Sequence, residues 1–310
     1  MADPTIYSIS QAPHRGTMDV AQVWTQAAGE LPTGLNQLVS TPWKGGALLI
    51  GSTPAGVLSF WTLNATAPFV ISAGAAVDLA TPVDLLRAFV LGGVTYLLGY
   101  GAVKGVLRFV ALKDDLTLSR PTDYSRTRPP AVTPGWTEAY PVTYLSKQYL
   151  VSYDSVNGGV NLFSLVIVGS NADPAPIEVD NVWAWSWAKG WTRFAFFTLG
   201  GENFFLKTNT ARLNVNIDHL NLDPNTRSSE VLTFAQNALP NAASLEIVRP
   251  FTLTGGAPGF LVYQSGQPIQ FYNIWPNCQG WDNEAQLPAT TGLTQIVIYA
   301  INNQSYALFY

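Results

Sequence analysis

The sequence predicts an all-β fold, a closed six-bladed β-propeller, from three observations. A short apolar strand motif returns six times along the 310 residues, at intervals of 46 to 56 residues. Each complete return is followed by a turn and a second strand, with almost no helical period between. The sixth copy ends at Tyr310, and a matching partner strand stands near the N-terminus.

The repeated strand reads Ala47–Ser52 (ALLIGS), Thr95–Tyr100 (TYLLGY), Gln148–Tyr153 (QYLVSY), Asn203–Thr208 (NFFLKT), Gly259–Gln264 (GFLVYQ) and Ser305–Tyr310 (SYALFY). Such short apolar runs suit strands buried on both faces. The partner strands are Gly56–Leu63, Gly105–Leu112, Gly159–Leu165, Arg212–Ile217 and Gln267–Ile274, and Gly-containing turns join most of them to the repeat. A further strand precedes each copy, often opening Gly-Trp-Thr or Gly-Leu-Thr, as at Gly135, Gly190 and Gly292. A fourth strand leaves no clear pattern. Asp3–Ser10 (DPTIYSIS) fits the partner-strand pattern, so one blade is expected to take strands from both termini. Closing the ring removes the exposed edges of an open array. Length alone suggests two domains; the ring makes residues 1–310 one domain.

Composition agrees with this architecture and excludes several functions. Asp, Glu, Lys and Arg make 12% of the chain, against about 25% in an average soluble domain. Ten Trp, thirteen Tyr and fifteen Phe argue against disorder. No uninterrupted apolar run reaches the roughly 18–20 residues of a membrane-spanning helix. A net charge of −4 argues against nucleic acid. The lone Cys278 cannot form an intrachain disulfide or a zinc cluster, and His14 and His219 are the only histidines. No metal and no cofactor is expected. Gly45-Gly46, Gly92-Gly93 and Gly200-Gly201 read as turns, and no strand–GxGxxG–helix unit is present. The N-terminus shows no signal-peptide pattern, so a cytoplasmic protein and a mature secreted form both fit. Asn64-Ala65-Thr66 and Asn303-Gln304-Ser305 are sequons that matter only in a secretory context. The expected partner is a small-molecule or glycan ligand, with no nucleic acid and no membrane span, on a monomer or weak homo-oligomer.

Polar residues concentrate where the inner strands begin. Aligned on the Gly-Trp-Thr position, the next residues are Gln37, Arg87, Glu138, Arg193, Glu246 and Gln295. One reading is structural, with Arg and Glu paired across blades near the axis. The other is a ligand site at the channel mouth. There Arg87 and Arg193 hold an anionic or carbonyl oxygen, and Glu138 or Glu246 serves as the catalytic acid/base. Gln37, Gln295, Trp136, Trp191 and Tyr140 complete the candidate substrate-binding set.

Aromatic residues raise a second question. Trp183, Trp185 and Trp187 would share a face of a strand, next to Trp191. They fit inter-blade packing or a stacking platform for a sugar or planar ligand. Asp114-Asp115 and Asp282-Asn283-Glu284 lack the spacing of a calcium loop and read as solvated turns. Asp218-His219 reads as a polar turn or rim ligand, His14-Arg15-Gly16 lies in the first long loop, and Asp154 and Asn157 read as hairpin chemistry.

Through its six repeated strands, five of which contain Tyr or Phe, the chain resembles six-bladed β-propellers over its full length. In size and closure it is similar to the fungal fucose lectins. That resemblance implies sugar pockets built from an Arg, Glu and Trp set reused in successive blades. Here the repeated positions are apolar, and the polar ones differ from blade to blade. The motifs of gluconolactonase-like and strictosidine-synthase-like enzymes are absent. A multivalent lectin gains from equivalent sites, whereas an enzyme needs one asymmetric site. The divergence favours a cofactor-independent enzyme with one site in the central funnel. Its chemistry would be acid/base cyclisation, condensation or isomerisation of a hydrophobic or aromatic metabolite. A carbohydrate-binding lectin with sites between blades, and a protein-interaction scaffold, stand as alternatives.

Overall fold

A computed structural model describes residues 4–11, 18–25, 31, 34–64, 71–73, 76–79, 82–125, 132–169, 176–221, 223, 225, 227–234, 239 and 244–310. His14-Arg15-Gly16 and the Ala65-Thr66 part of the first sequon lie outside the described residues.

The described residues form six antiparallel sheets and no α-helix. Strands β1 (Thr5–Gln11) and β2 (Met18–Thr25) come first. The first complete blade holds β3 (Gln37–Trp43), β4 (Gly46–Ser52) and β5 (Val57–Leu63), with its outer edge divided into β6 (Ile71–Ala73) and β7 (Val77–Asp78). The second holds β8 (Leu85–Leu91), β9 (Val94–Gly101), β10 (Val106–Leu112) and β11 (Thr122–Tyr124). The third holds β12 (Glu138–Tyr144), β13 (Lys147–Tyr153), β14 (Gly159–Ile167) and β15 (Ile177–Ser186). The fourth holds β16 (Arg193–Leu199), β17 (Glu202–Asn209), β18 (Asn214–Leu220) and β19 (Ser228–Phe234). The fifth holds β20 (Ile247–Thr252), β21 (Pro258–Tyr263), β22 (Ile269–Ile274) and β23 (Trp281–Leu287). Strands β24 (Ile296–Ile301) and β25 (Gln304–Phe309) begin the sixth.

The sixth sheet runs β2-β1-β25-β24, so two strands from each terminus make one blade. Ile6 pairs with Leu308 and Ile9 with Ser305. The ring is the six-bladed propeller that the repeat predicts. The fourth strands, invisible in the sequence, are the outer edges. β23 (WDNEAQL) carries no buried residue, so no apolar pattern marks it.

Five of the six inner hairpins turn in two residues: Lys44-Gly45, Gly92-Gly93, Leu145-Ser146, Gly200-Gly201 and Asn302-Asn303. Both residues of each have positive φ. This is the turn whose twist matches the paired strands. The glycine before the inner strand also has a conformational reason. Gly34, Gly135, Gly190 and Gly292 sit at φ between 79° and 91°, a region that favours glycine.

The core lies between the blades. Six apolar clusters each combine residues of two adjacent sheets, as where Tyr100 and Phe109 of the second blade meet Trp136, Leu150 and Phe163 of the third. In the second, third and fifth blades a tyrosine at the end of the second strand ties the sheet to the loop that leads into the next. Tyr100 donates to Thr133 O at 2.8 Å and accepts from Trp136 N at 3.0 Å. Tyr153 donates to Ala188 O at 2.7 Å, and Tyr263 accepts from Leu293 N at 3.3 Å. The repeat therefore carries Tyr where a phenol bridges blades, because a buried loop amide or carbonyl needs a partner. No helix among the described residues is long and apolar enough to cross a membrane.

Candidate functional site

The inner strands β3, β8, β12, β16, β20 and β24 surround an axial channel of about 810 Å³. One face of each strand points toward the following blade, and its polar side chains make the junctions. Asn36 Nδ2 donates to Val83 O at 2.8 Å. Arg87 Nη2 reaches Glu138 Oε1 at 2.5 Å. Arg193 Nε donates to Glu246 O at 2.7 Å, Arg249 Nε to Ile296 O at 2.9 Å, and Gln295 Nε2 to Asn36 O at 3.0 Å. At the remaining junction Tyr140 stacks on Phe196 with ring centroids 4.3 Å apart. Most of these polar groups thus bridge neighbouring blades, and among the described residues Arg87 and Glu138 form the one Arg–Glu ion pair.

The six residues aligned from the sequence do not share one level. Gln37, Glu138, Arg193 and Gln295 face the equivalent last residues of the second strands: Ser52, Tyr153, Thr208 and Tyr310. The equivalent residue of the second blade is Leu85, opposite Tyr100. Arg87 lies two residues further along, opposite Leu98. In the fifth blade the level belongs to Ile247, opposite Tyr263, and Glu246 precedes it. Glu246 is exposed, and its Oε1 accepts from Ser265 N at 2.9 Å. It borders the channel while its carboxylate holds a turn.

Hairpin register reveals a residue that the alignment missed. Arg249 faces Leu261 as Arg87 faces Leu98, so Arg87, Tyr140 and Arg249 form one level. Counting back from the tyrosine of the second strand, rather than forward from the loop, would have found it. The three arginines share one pose. Nη1 of Arg87, Arg193 and Arg249 each donates to the carbonyl of the preceding residue, at 2.8, 2.9 and 2.9 Å. Each guanidinium is therefore held by backbone.

Charge is unevenly balanced along the channel. Arg87 and Glu138 side chains are 20% and 13% exposed. Ala139 N also donates to Glu138 Oε1, at 2.9 Å. Both donors use the same oxygen, and Oε2 has no hydrogen-bond partner among the described residues. Burial pushes the Arg249 guanidinium down from 12.5 to about 10. Arg87 adds to that shift, Glu138 opposes it and Arg193 adds again. Arg249 stays protonated at neutral pH, but it is short of negative charge. Burial also lowers Arg193, with Glu246 opposing. Tyr140 is raised by burial, with Arg87 and Arg249 pulling it down and Glu138 pushing it up.

The candidate aromatic residues separate by place. Tyr140 lines the channel. Trp136 is 3% exposed and stacks on Tyr100 at 4.9 Å. Trp191 is 6% exposed, with Lys207 Nζ 4.5 Å from its ring centroid. Both lie inside inter-blade cores. Trp183 and Trp185 share a face of β15, opposite Leu162 and Val160. Trp183 is buried, whereas Trp185 is exposed beneath the Arg227 guanidinium at 3.7 Å. Trp187 stacks on Phe205 of the next blade.

The weaker candidates have local partners. Asp115 Oδ1 accepts from Thr117 N and Oγ1 at 3.0 and 2.6 Å, and these bonds hold its carboxyl below the usual value. Asp282 accepts from Trp275 Nε1 at 2.8 Å. Asp154 accepts from Val156 N and from Asn157, closing a hairpin. Asp218 pairs with Lys207 at 2.6 Å inside the fourth blade, and His219 lies 3.2 Å from Glu202.

No protein-family model and no curated protein matches this chain. Solved structures do match it in shape. A Bacteroides fragilis protein designated a 6-phosphogluconolactonase has a TM-score of 0.57 at 10% identity, over 97% of this chain and 86% of that one. The periplasmic gluconolactonase of Pseudomonas aeruginosa has a TM-score of 0.56 at 12% identity, over 94% and 85%. The Aleuria aurantia lectin, solved with a fucosylated GlcNAc, has a TM-score of 0.54 at 13% identity, over 94% and 97%. At these identities the likeness is one of fold alone: the chain is a six-bladed β-propeller, and these two lactonases and the lectin match it in shape.

Proposed function

We propose that the protein binds one small molecule in the axial channel and acts on it by acid/base chemistry without a cofactor. The single observation that carries this reading is the asymmetry of the channel. Its level of Arg87, Tyr140 and Arg249 is completed by Val39, Ala195 and Val297 in the other blades. Two arginines, one tyrosine and three small apolar residues around one axis do not make six equal sites. Glu138 is the acid/base residue. Arg87 and Ala139 N fix one oxygen, leaving Oε2 for a substrate proton. Tyr140 and Phe196 supply a planar wall for a hydrophobic or aromatic substrate. Cyclisation, isomerisation or an intramolecular condensation fits this set, because each proceeds by proton transfer to and from one bound substrate, a condensation also releasing water.

A lectin with sites between blades finds less support. Of the tryptophans it would stack on, Trp183 and Trp191 are buried in packing and Trp187 stacks on Phe205, while Trp185 is exposed but lies beneath the Arg227 guanidinium. Stoichiometry separates the two readings. A purified candidate ligand should bind once per chain by calorimetric titration. Once a reaction is assigned, Glu138→Gln should keep the fold and lose turnover. Several equal sites per chain, or full turnover in that variant, would refute the proposal.

A further inference from the structure

Arg87, Arg193 and Arg249 bring three guanidiniums to the channel, and their counter-charges are not equal in number. Arg87 has Glu138 at 2.5 Å. Arg193 is held by backbone carbonyls, with the Glu246 carboxylate nearby but bonded to Ser265 N. Arg249 has no carboxylate partner among the described residues. Nε and Nη1 of Arg249 are spent on Ile296 O and Val248 O. Its Nη2 has no hydrogen-bond partner among the described residues, and the side chain borders the cavity.

A largely buried guanidinium with no hydrogen-bonded carboxylate is costly, because the lost water is offset only in part, here by the more distant charge of Glu138. A ligand anion would supply the missing charge. The fixed pose of Arg249 suits that task, since little side-chain freedom is lost when an anion arrives.

Resting on the reading of the channel as a ligand site, we propose that the ligand carries an anionic oxygen group, a carboxylate or a phosphate. That group seats on Arg249 Nη2, in the positive field of Arg87 and Arg193. The remainder of the ligand lies against Tyr140 and Phe196, on the side of Glu138. Arg249 is the determinant that selects an acid over its neutral analogue.

The test uses the intact protein and three probes at constant ionic strength: benzoate, its neutral isostere benzamide, and inorganic phosphate. Calorimetry and ring signals of Tyr140 in NMR report binding. Benzoate should bind about tenfold or more tighter than benzamide, the scale of one charge-assisted hydrogen bond. Phosphate competing with benzoate assigns the anion site to any oxyanion; phosphate without effect assigns it to carboxylates. Arg249→Gln should remove the benzoate preference, and Arg249→Lys should retain part of it. Benzamide binding as tightly as benzoate at Tyr140 overturns the anion inference and leaves the single axial site standing. Neither benzoate nor phosphate binding to the wild-type protein also overturns it, without needing any variant to fold. Benzoate saturating several sites per chain counts against the axial site itself.

Discussion

Arg87 Nη2 and Glu138 Oε1 lie 2.5 Å apart across the boundary between the second and third blades. Glu138 is in reach because β12 begins with it, while Arg87 stands at the third residue of β8. The pair is mostly shielded and is braced by Leu86 O and Ala139 N. Breaking it leaves one charge with its own desolvation uncompensated. Arg87→Met and Glu138→Gln should each lower the unfolding free energy by about 2 kcal/mol, below the cost for a fully buried pair because some solvent reaches this one. The double variant should lose less than the sum, as urea denaturation of all four proteins would show. Additive losses would mean that the pair contributes no coupling.

Lys207 and Asp218 form a second pair, inside the fourth blade, with side chains 6% exposed. The ammonium also faces the rings of Trp187 and Trp191. Lys207→Met strips the carboxylate of its cation and should cost about 3–5 kcal/mol. Adding Asp218→Leu should recover much of that loss. Ligand affinity at the axis should be the same in the double variant as in the wild type. A selective loss of ligand binding would instead place Trp191 in the site.

Stability should fall at alkaline pH. Burial pushes Tyr272 up to about 12 and Cys278 up to about 11, and raises Tyr299, Tyr100, Tyr153 and Tyr96 as well. A group whose folded pKa is raised holds its proton more tightly in the native state. Its stabilising contribution is complete below the unfolded value and is lost as pH rises toward the folded value. Melting temperature should therefore begin to drop near pH 9, where an unfolded Cys278 ionises, and fall further between 10 and 12 as the tyrosines follow. Ultraviolet titration should show part of the tyrosine absorbance appearing only with unfolding. Complete tyrosine ionisation in the folded protein would contradict these burial shifts.

Removing Tyr306–Tyr310 should abolish folding. It deletes most of β25, which pairs with β1 on one side and β24 on the other. It also removes Leu308 and Tyr310 from the core shared with the first blade. Loss of the cooperative circular-dichroism melt is the expected result; an unchanged melting temperature would contradict closure by the termini.

How much of this was legible in the sequence follows from burial. The second strands, such as β4 and β9, are buried on both faces, and their apolar runs stand out. The outer strands β2 and β23 face solvent and carry no such signal. The polar residues of the inner strands were visible, but their levels were not. Blade two lacks a Gly-Trp-Thr marker, so nothing in its sequence shows that Arg87 lies two residues beyond the level of Glu138. Blade five also lacks the marker, so spacing alone does not separate Glu246 from Ile247, the residue opposite Tyr263. Arg249 escaped because register is set by hairpin pairing, which only the position of the turn discloses. Which arginine lacks a counter-ion depends on side-chain reach across blades, and no spacing in the chain encodes that.

The most direct measurement of a single axial site is a crystal soaked with para-bromobenzoate and read by bromine anomalous scattering. One peak per chain is expected, in the channel beside Tyr140, with the carboxylate toward Arg249. Peaks repeated at several blade boundaries, or an empty channel with bromine bound elsewhere, would contradict it.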